Sequence, residues 1–495
     1  MRKPVFAILL LAVLSLSCSG RASSPKWRAQ GLVQRSNVLV FPFEYHGSRD
    51  SSWIAAGLCD SLITDLKSVQ GINVFSEADR VRAVRELQLG MTGLIRESDR
   101  RRVGGLMGAS VLLTGSVQVA GKAVRVNARM VHVETGRIIR SAKVDGTMDG
   151  IFNLQDRVII ALLSPPEKGM PAESSVVIGK EDSERLPSTQ KPNRDAYAWY
   201  ARGLQVHYTE LKKAMGFYLK AIGIDPDYVQ ALNKIGEICK EMNRFEDALR
   251  YHGRAEVILA ARGKKKSGDY ARTVNYIGSV YWNKGAYDEA LRHYNRAQNL
   301  REEIGLKSSG DYAETLGNIG TVYLQKGDTD RAMKCFFSSR EMYEALGLSD
   351  TIETVNLTAN TGTAYFRKGD HEKALLLYQQ AVATLQKIRM TATKSHAVLA
   401  SNIGSIYLLK GDAPSALNHY LQARDTWIRL GLKNTYDYGT TVANIGVLYQ
   451  KTGALCKGVP FLKEALGVYK RVGRADLAKP LAVNVRKLSF ICRGK

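Results

Sequence analysis

Between residues 123 and 131 apolar and polar positions alternate. Val124, Val126, Ala128 and Met130 fall on one side, and Arg125, Asn127 and Arg129 fall on the other. That two-residue period predicts a strand with one dry face and one wet face. Ser110–Val119 and Arg137–Val144 read as its neighbours in a meander, separated from it by Ala120-Gly121-Lys122 and by "ETGR". Upstream, "NVLVFPFEY" (Asn37–Tyr45) is an apolar, β-branched run stopped by Pro42, which implies a buried strand. Ile54, Leu58, Leu62 and Leu66 recur every four residues along one helix face, and Ile72–Ser76 reads as a short strand. Helices are expected over about Ala78–Leu87, Glu97–Met107 and Ile151–Leu163. The order implies a small mixed sheet with helices packed against it.

Beyond residue 191 the period changes. Gly236, Gly278, Gly320, Gly362, Gly404 and Gly446 recur every 42 residues, and Gly203 precedes the first of them. Tyr281, Tyr323, Tyr365, Tyr407 and Tyr449 follow the glycines by three positions. Small residues follow by twelve (Ala248, Ala290, Ala332, Ala374, Ala416, then Gly458), and rings follow by sixteen in four repeats (Tyr294, Phe336, Tyr378, Tyr420). Such spacing suits two antiparallel helices that meet at the glycine, with the ring filling the space between them. A second series, Gly285, Gly327, Gly369, Gly411 and Gly453, stands where the first helix must end and turn. Lys284, Lys326, Lys368 and Lys410 precede four of these, where the helix dipole alone favours a cation.

This small–aromatic–small pattern resembles the tetratricopeptide repeat. Its usual unit is about 34 residues, so the 42-residue period resembles the long-repeat branch of kinesin light chains and LGN-type adaptors. The resemblance implies a right-handed solenoid of about seven repeats over 192–495, with an atypical last repeat carrying Gly458 and Pro460 in its second helix. In that family the position two before the glycine lines the concave groove. Here it is occupied by Asn318, Asn360, Asn402 and Asn444. The resemblance implies that they form a ladder gripping the backbone of an extended peptide, since an amide both donates and accepts. The alternative is that these asparagines merely bond to neighbouring helices. In the earlier repeats the same position is Ala201, Lys234 and Tyr276.

"LLTGSVQVAGKAVRVNARMVHVETGRIIRS" with "DGIFNLQDRV" resembles the TolB amino-terminal and CsgG/FlgO-like domains of bacterial envelope proteins. That likeness covers 36–163 and implies an α/β module of periplasmic assemblies. No loop has room for the added membrane strands of a pore subunit. The expected fold class is therefore α+β: a small mixed-sheet α/β domain followed by an all-α superhelix. Between them, 164–191 is rich in Pro, Ser and Glu and reads as a flexible linker.

"MRKPVFAILLLAVLSLSCSG" carries two cations, an apolar run and small residues, the layout of a signal peptide over 1–18. Its end resembles a lipobox, with Ser15 where that motif places leucine, and Cys18 is the expected lipidation site. Ordinary signal cleavage and an uncleaved anchor are the alternatives. The formal charge of +24, most of it on the repeats, favours an acidic partner, while export removes nucleic acid from consideration. Cys59, Cys239, Cys335, Cys456 and Cys492 show no CxxC or Cys/His spacing and read as incidental thiols, with no metal site expected. "RESDRRR" (Arg96–Arg102) reads as a solvated helix face, and His293 and His419, at equivalent repeat positions, read as packing residues. No catalytic constellation stands out and no cofactor is implied.

The reading is a non-catalytic scaffold of the bacterial cell envelope, facing the periplasm, membrane-anchored through Cys18 and holding a protein or peptide in the groove. The alternatives are a regulatory sensor module of a signalling system and a curli or secretion-type assembly lipoprotein.

Overall fold

The structure, a computed structural model, describes residues 36–163 except 68, 70, 71, 76, 78, 79, 82, 83 and 85–96, and residues 192–492 except 389 and 392. The expected signal with Cys18, the 164–191 linker and most of the 78–87 helix lie outside the described residues.

The strands are β1 (Ser36–Val40), β2 (Glu44–His46), β3 (Ile72–Val74), β4 (Val111–Ala120), β5 (Ala123–His132) and β6 (Ile138–Thr147). They form one mixed sheet of order β3-β1-β4-β5-β6. β1 runs parallel to both β3 and β4, and β4, β5 and β6 form the antiparallel meander. The buried strand in the run Asn37–Tyr45 stops before Pro42, as expected, and a second short strand follows. Phe41 still donates its amide to Leu113, Pro42 has none to give, and β2 resumes the parallel pairing at Glu44 opposite Ser116.

Helix α1 (Trp53–Lys67) and α3 (Ile151–Leu163) cover one sheet face, and α2 (Glu97–Leu106) covers part of the other. "RESDRRR" is not the solvated face expected. Arg100 is buried against Glu44 at 2.7 Å, and Arg101 donates to the carbonyl of Val133, so this helix is tied to the sheet by its cations.

The second half consists of seven helix pairs and a final helix. The pairs are α4 (Arg194–Val206) with α5 (Leu211–Ile224), α6 (Val229–Glu241) with α7 (Phe245–Ala261), and α8 (Gly268–Lys284) with α9 (Tyr287–Glu303). Then follow α10 (Gly310–Gln325) with α11 (Thr329–Ala345), α12 (Ile352–Arg367) with α13 (His371–Lys387), and α14 (Lys394–Leu409) with α15 (Ala413–Arg429). Last come α16 (Tyr436–Lys451) with α17 (Leu455–Arg471) and the closing α18 (Ala475–Ile491). A Cβ on Gly278, Gly320, Gly362 or Gly404 would stand 2.7–2.9 Å from the ring sixteen residues on, so the glycine is what admits that ring. In the second pair His252 takes the ring's place over Gly236. The second glycine series is left-handed, with φ between +77° and +83°, as helix ends favouring glycine require.

Each lysine before that series does more than answer the helix dipole. Lys284 pairs with Glu246, Lys326 with Asp288, Lys368 with Asp330 and Lys410 with Glu372, each reaching back to the first turn of the preceding repeat's second helix. His293 and His419 stack on Tyr281 and Tyr407 and are packing residues as expected.

Two cysteines expected as incidental thiols are joined. Cys456, in α17, and Cys492, just past α18, form a disulfide that closes a loop of 36 residues. Chain-entropy arguments give such a loop about 4 kcal/mol at most. A solenoid distributes stability between neighbours, so reduction should act locally. Amides of α18 are expected to lose hydrogen-exchange protection in reductant while those of α8–α11 do not. Uniform loss along the solenoid would contradict this.

Candidate functional site: the repeat groove and the domain docked in it

The α/β domain is not a separate bead. Tyr197 of α4 inserts between α1 and α3, edge-on to Trp53 and Phe152, and its hydroxyl contacts Gln155 and Ser61. Gly57 of α1 permits this approach, because a Cβ there would stand 2.4 Å from the Tyr197 hydroxyl and 3.1 Å from Ala201. At the far side, buried Asn37 donates to the carbonyl of Leu346 at 3.1 Å, and Lys67 pairs with Asp311 at 3.5 Å. Leu346 and Leu348 join the apolar cluster under β1 and α2. The domain therefore reaches from the first repeat to the junction of the fourth and fifth.

This docking divides the groove. Of the early counterparts of the asparagine ladder, Ala201 is covered by α1, while Lys234 and Tyr276 line a cavity of about 570 Å³ between the α/β domain and the first helices of the repeats. Charged groups crowd its wall. Lys234 pairs with Glu237 at 3.0 Å; burial pushes the carboxyl up, but Lys234, His207 and Lys240 together outweigh it and hold Glu237 down at about 2. Asp311 is held well below the usual carboxylate range, chiefly by Lys67. Asp60 accepts a hydrogen bond from Tyr200 at 2.9 Å, and burial pushes its carboxyl up to about 6 against the pull of Lys234.

The four expected site residues lie farther along, in α10, α12, α14 and α16, and all are half-buried. Asn360 donates to Thr321 of the preceding repeat at 3.5 Å, a long contact. Asn318, Asn402 and Asn444 make no side-chain hydrogen bond to another described residue. The helices that carry the last two are nearly free of carboxylates: α14 has none and α16 has Asp437. The groove is thus charged and covered by the α/β domain as far as α12, while α14 and α16 carry their amides with a single carboxylate between them.

Sequence reasoning missed the docking contacts and the partners of the lysine row. The latter had a signal, since Glu246, Asp288, Asp330 and Glu372 all stand ten residues after a repeat glycine. Among the described residues no group of three or more His, Cys, Asp or Glu is placed to hold a metal, and no helix is long and apolar enough to cross a membrane.

Two buried histidines and Asp60 oppose one another in acid. Burial pushes His207 and His252 down to about 4, so they contribute stability above pH 6.5 that is lost as pH falls towards 4. Asp60, raised from 3.8 to about 6, does the reverse: its contribution is present at low pH and lost as pH rises through 6. Wild type should therefore lose less stability than Asp60→Asn between pH 6.5 and 4.5, read from urea midpoints. Equal losses would contradict the assignment.

A tetratricopeptide repeat family model matches residues 269–345, which span α8 to α11. The chain is 26% identical over 205 residues to a putative adenylate cyclase 3 of Rhizobium meliloti (strain 1021), a match covering 40% of this chain and 32% of that relative's length. Among solved structures, the apo form of RapI aligns with 13% identity over 57% of this chain and all of its own, at a TM-score of 0.47. The apo quorum sensor NprR from B. thuringiensis aligns with 15% identity over 56% of this chain and 77% of its own, at 0.46. The helical half is a solenoid of the tetratricopeptide type. The chain as a whole is a small mixed-sheet domain joined to that solenoid.

Proposed function

We propose that this protein is a non-catalytic interaction scaffold of the bacterial cell envelope, holding an extended segment of a partner along the carboxyl half of its groove. The observation that carries this reading is the pair of half-buried amides at Asn402 and Asn444, which have hydrogen-bonding capacity to spare on α14 and α16, beyond the reach of the α/β domain, with Asn318 in line with them on α10, whose first turn the domain contacts. An extended peptide would engage them through its own backbone, largely regardless of its sequence. The positive surplus of the repeats supports a client of acidic character. The signal-like start, the lipobox-like Cys18 and the Cys456–Cys492 disulfide support an oxidising, exported setting, with a lipid at Cys18 as the anchor. The TolB-like and CsgG-like character of the α/β domain, inferred from its strand motifs, fits the same setting.

The test uses the full chain as bait in an envelope extract, beside a version with Asn318, Asn360, Asn402 and Asn444 changed to Ala. Client capture should fall about tenfold or more with unchanged helix content, since several backbone hydrogen bonds are lost together. Equal capture by both would sink the ladder. Cys18→Ala should move the protein from the membrane to the soluble fraction; unchanged fractionation would argue against lipid anchoring.

A further inference from the structure

We propose that the cavity between the α/β domain and the first repeats binds a small zwitterion, a molecule with one oxyanion and one ammonium group, of the free amino acid or short unblocked peptide class. Its volume, about 570 Å³, lies within the range of small-molecule sites. Several charges on its wall are already paired: Lys67 with Asp311, Lys234 with Glu237, and Arg272 with Asp269 and, through Nε at 4.0 Å, with Asp311.

Of the lining groups that form no ion pair among the described residues, two of opposite sign matter here. Arg301 of α9 lines the cavity at 3% exposure and forms no ion pair with another described residue; it donates to the Thr315 hydroxyl at 2.8 Å, and burial lowers its pKa against the pull of Asp311 and Glu314. Close by, the Nε–H of Arg272 faces Asp311 at 4.0 Å, an ion pair too long for a hydrogen bond. On the wall supplied by α1, Asp60 has the Tyr200 hydroxyl and no paired cation among the described residues, with Lys234 and Arg272 acting on it from farther off. A buried charge without a counter-charge in direct contact is costly, and a ligand that brings the opposite sign into contact at each end reduces both costs.

Charge balance narrows the class. The lining carries eight carboxylates against five lysine and arginine side chains, which disfavours phosphates and polyanions. A single carboxylate facing Arg301 beside Arg272, with an ammonium facing Asp60, gives each of the two groups without an ion pair a contact partner and adds no net charge. Because Asp60 belongs to the α/β domain and both arginines to the solenoid, such a ligand also clamps the two together. Binding should therefore raise the unfolding midpoint by mass action.

The test is calorimetric titration and thermal unfolding of the full chain with two probe sets at neutral pH. One set is the common amino acids, taken singly; the other is unblocked di- and tripeptides of glycine and alanine. At least one set should give saturable heat and a rising midpoint, and which set does so separates the two sources. Acetylating the amine or amidating the carboxylate of the binding probe should weaken it about tenfold or more, as should Asp60→Asn. Arg301→Gln should do the same; if that variant does not fold, Asp60→Asn and the blocked probes decide. The asparagine-to-alanine variant should bind the probe normally, so this result stands or falls apart from the groove reading. No saturable binding by either set, or binding indifferent to Asp60→Asn and to blocking, would overturn the proposal.

Discussion

Gly57→Leu should detach the α/β domain from the solenoid. A single Cβ at this position would already stand 2.4 Å from the Tyr197 hydroxyl and 3.1 Å from Ala201, and leucine adds three more carbons to the same gap. The obstacle cannot be met by a small shift. Tyr197 is wedged between Trp53 and Phe152, and α1 is fixed from behind by the sheet. Overpacking of this kind usually costs about 1–3 kcal/mol, and here it concentrates on a single seam. The variant should keep its helix content, gain radius of gyration in small-angle scattering and become cleavable by protease between the two parts. A native scattering profile would mean that the seam is softer than its packing implies.

Phe336→Ala should produce the largest loss within the solenoid. Phe336 is fully buried and lies over Gly320, where its ring holds α10 against α11. Removing a buried phenylalanine costs about 3–5 kcal/mol, and the glycine opposite offers no side chain to fill the hole. In a chain of nearest-neighbour contacts this weakens the fourth repeat and uncouples the repeats on either side. Denaturation should then split into two transitions, with the docked amino half and the disulfide-closed carboxyl half unfolding separately. A single transition with an unchanged midpoint would contradict this account of the repeat.

Much of the fold was legible because it is periodic. The glycine and the ring sixteen residues later recur often enough to be read as one packing device, and Tyr294, Phe336, Tyr378 and Tyr420 do lie over their glycines. The meander was legible for the same reason, since Val124, Val126, Ala128 and Met130 all face the core. What could not be read is aperiodic. Asn37 meets Leu346 across 309 residues, and neither position carries a mark of the other. The disulfide joins two cysteines whose spacing matches no motif. The lysine row was visible as a column but not as half of a pair, because its partners belong to the preceding repeat. Of the candidate site, the asparagine column was legible. The covering of its amino-half counterparts by the chain's own α/β domain was not.

The most direct test of the account places a photo-crosslinking residue in the full chain, in one protein at Asn402 and in another at Lys234, and irradiates both in an envelope extract. The account predicts that position 402 crosslinks to a partner and that position 234 yields products only within the chain, to the docked α/β domain. A partner captured from position 234 and not from 402 would contradict it: the client would then enter the half of the groove that the α/β domain covers.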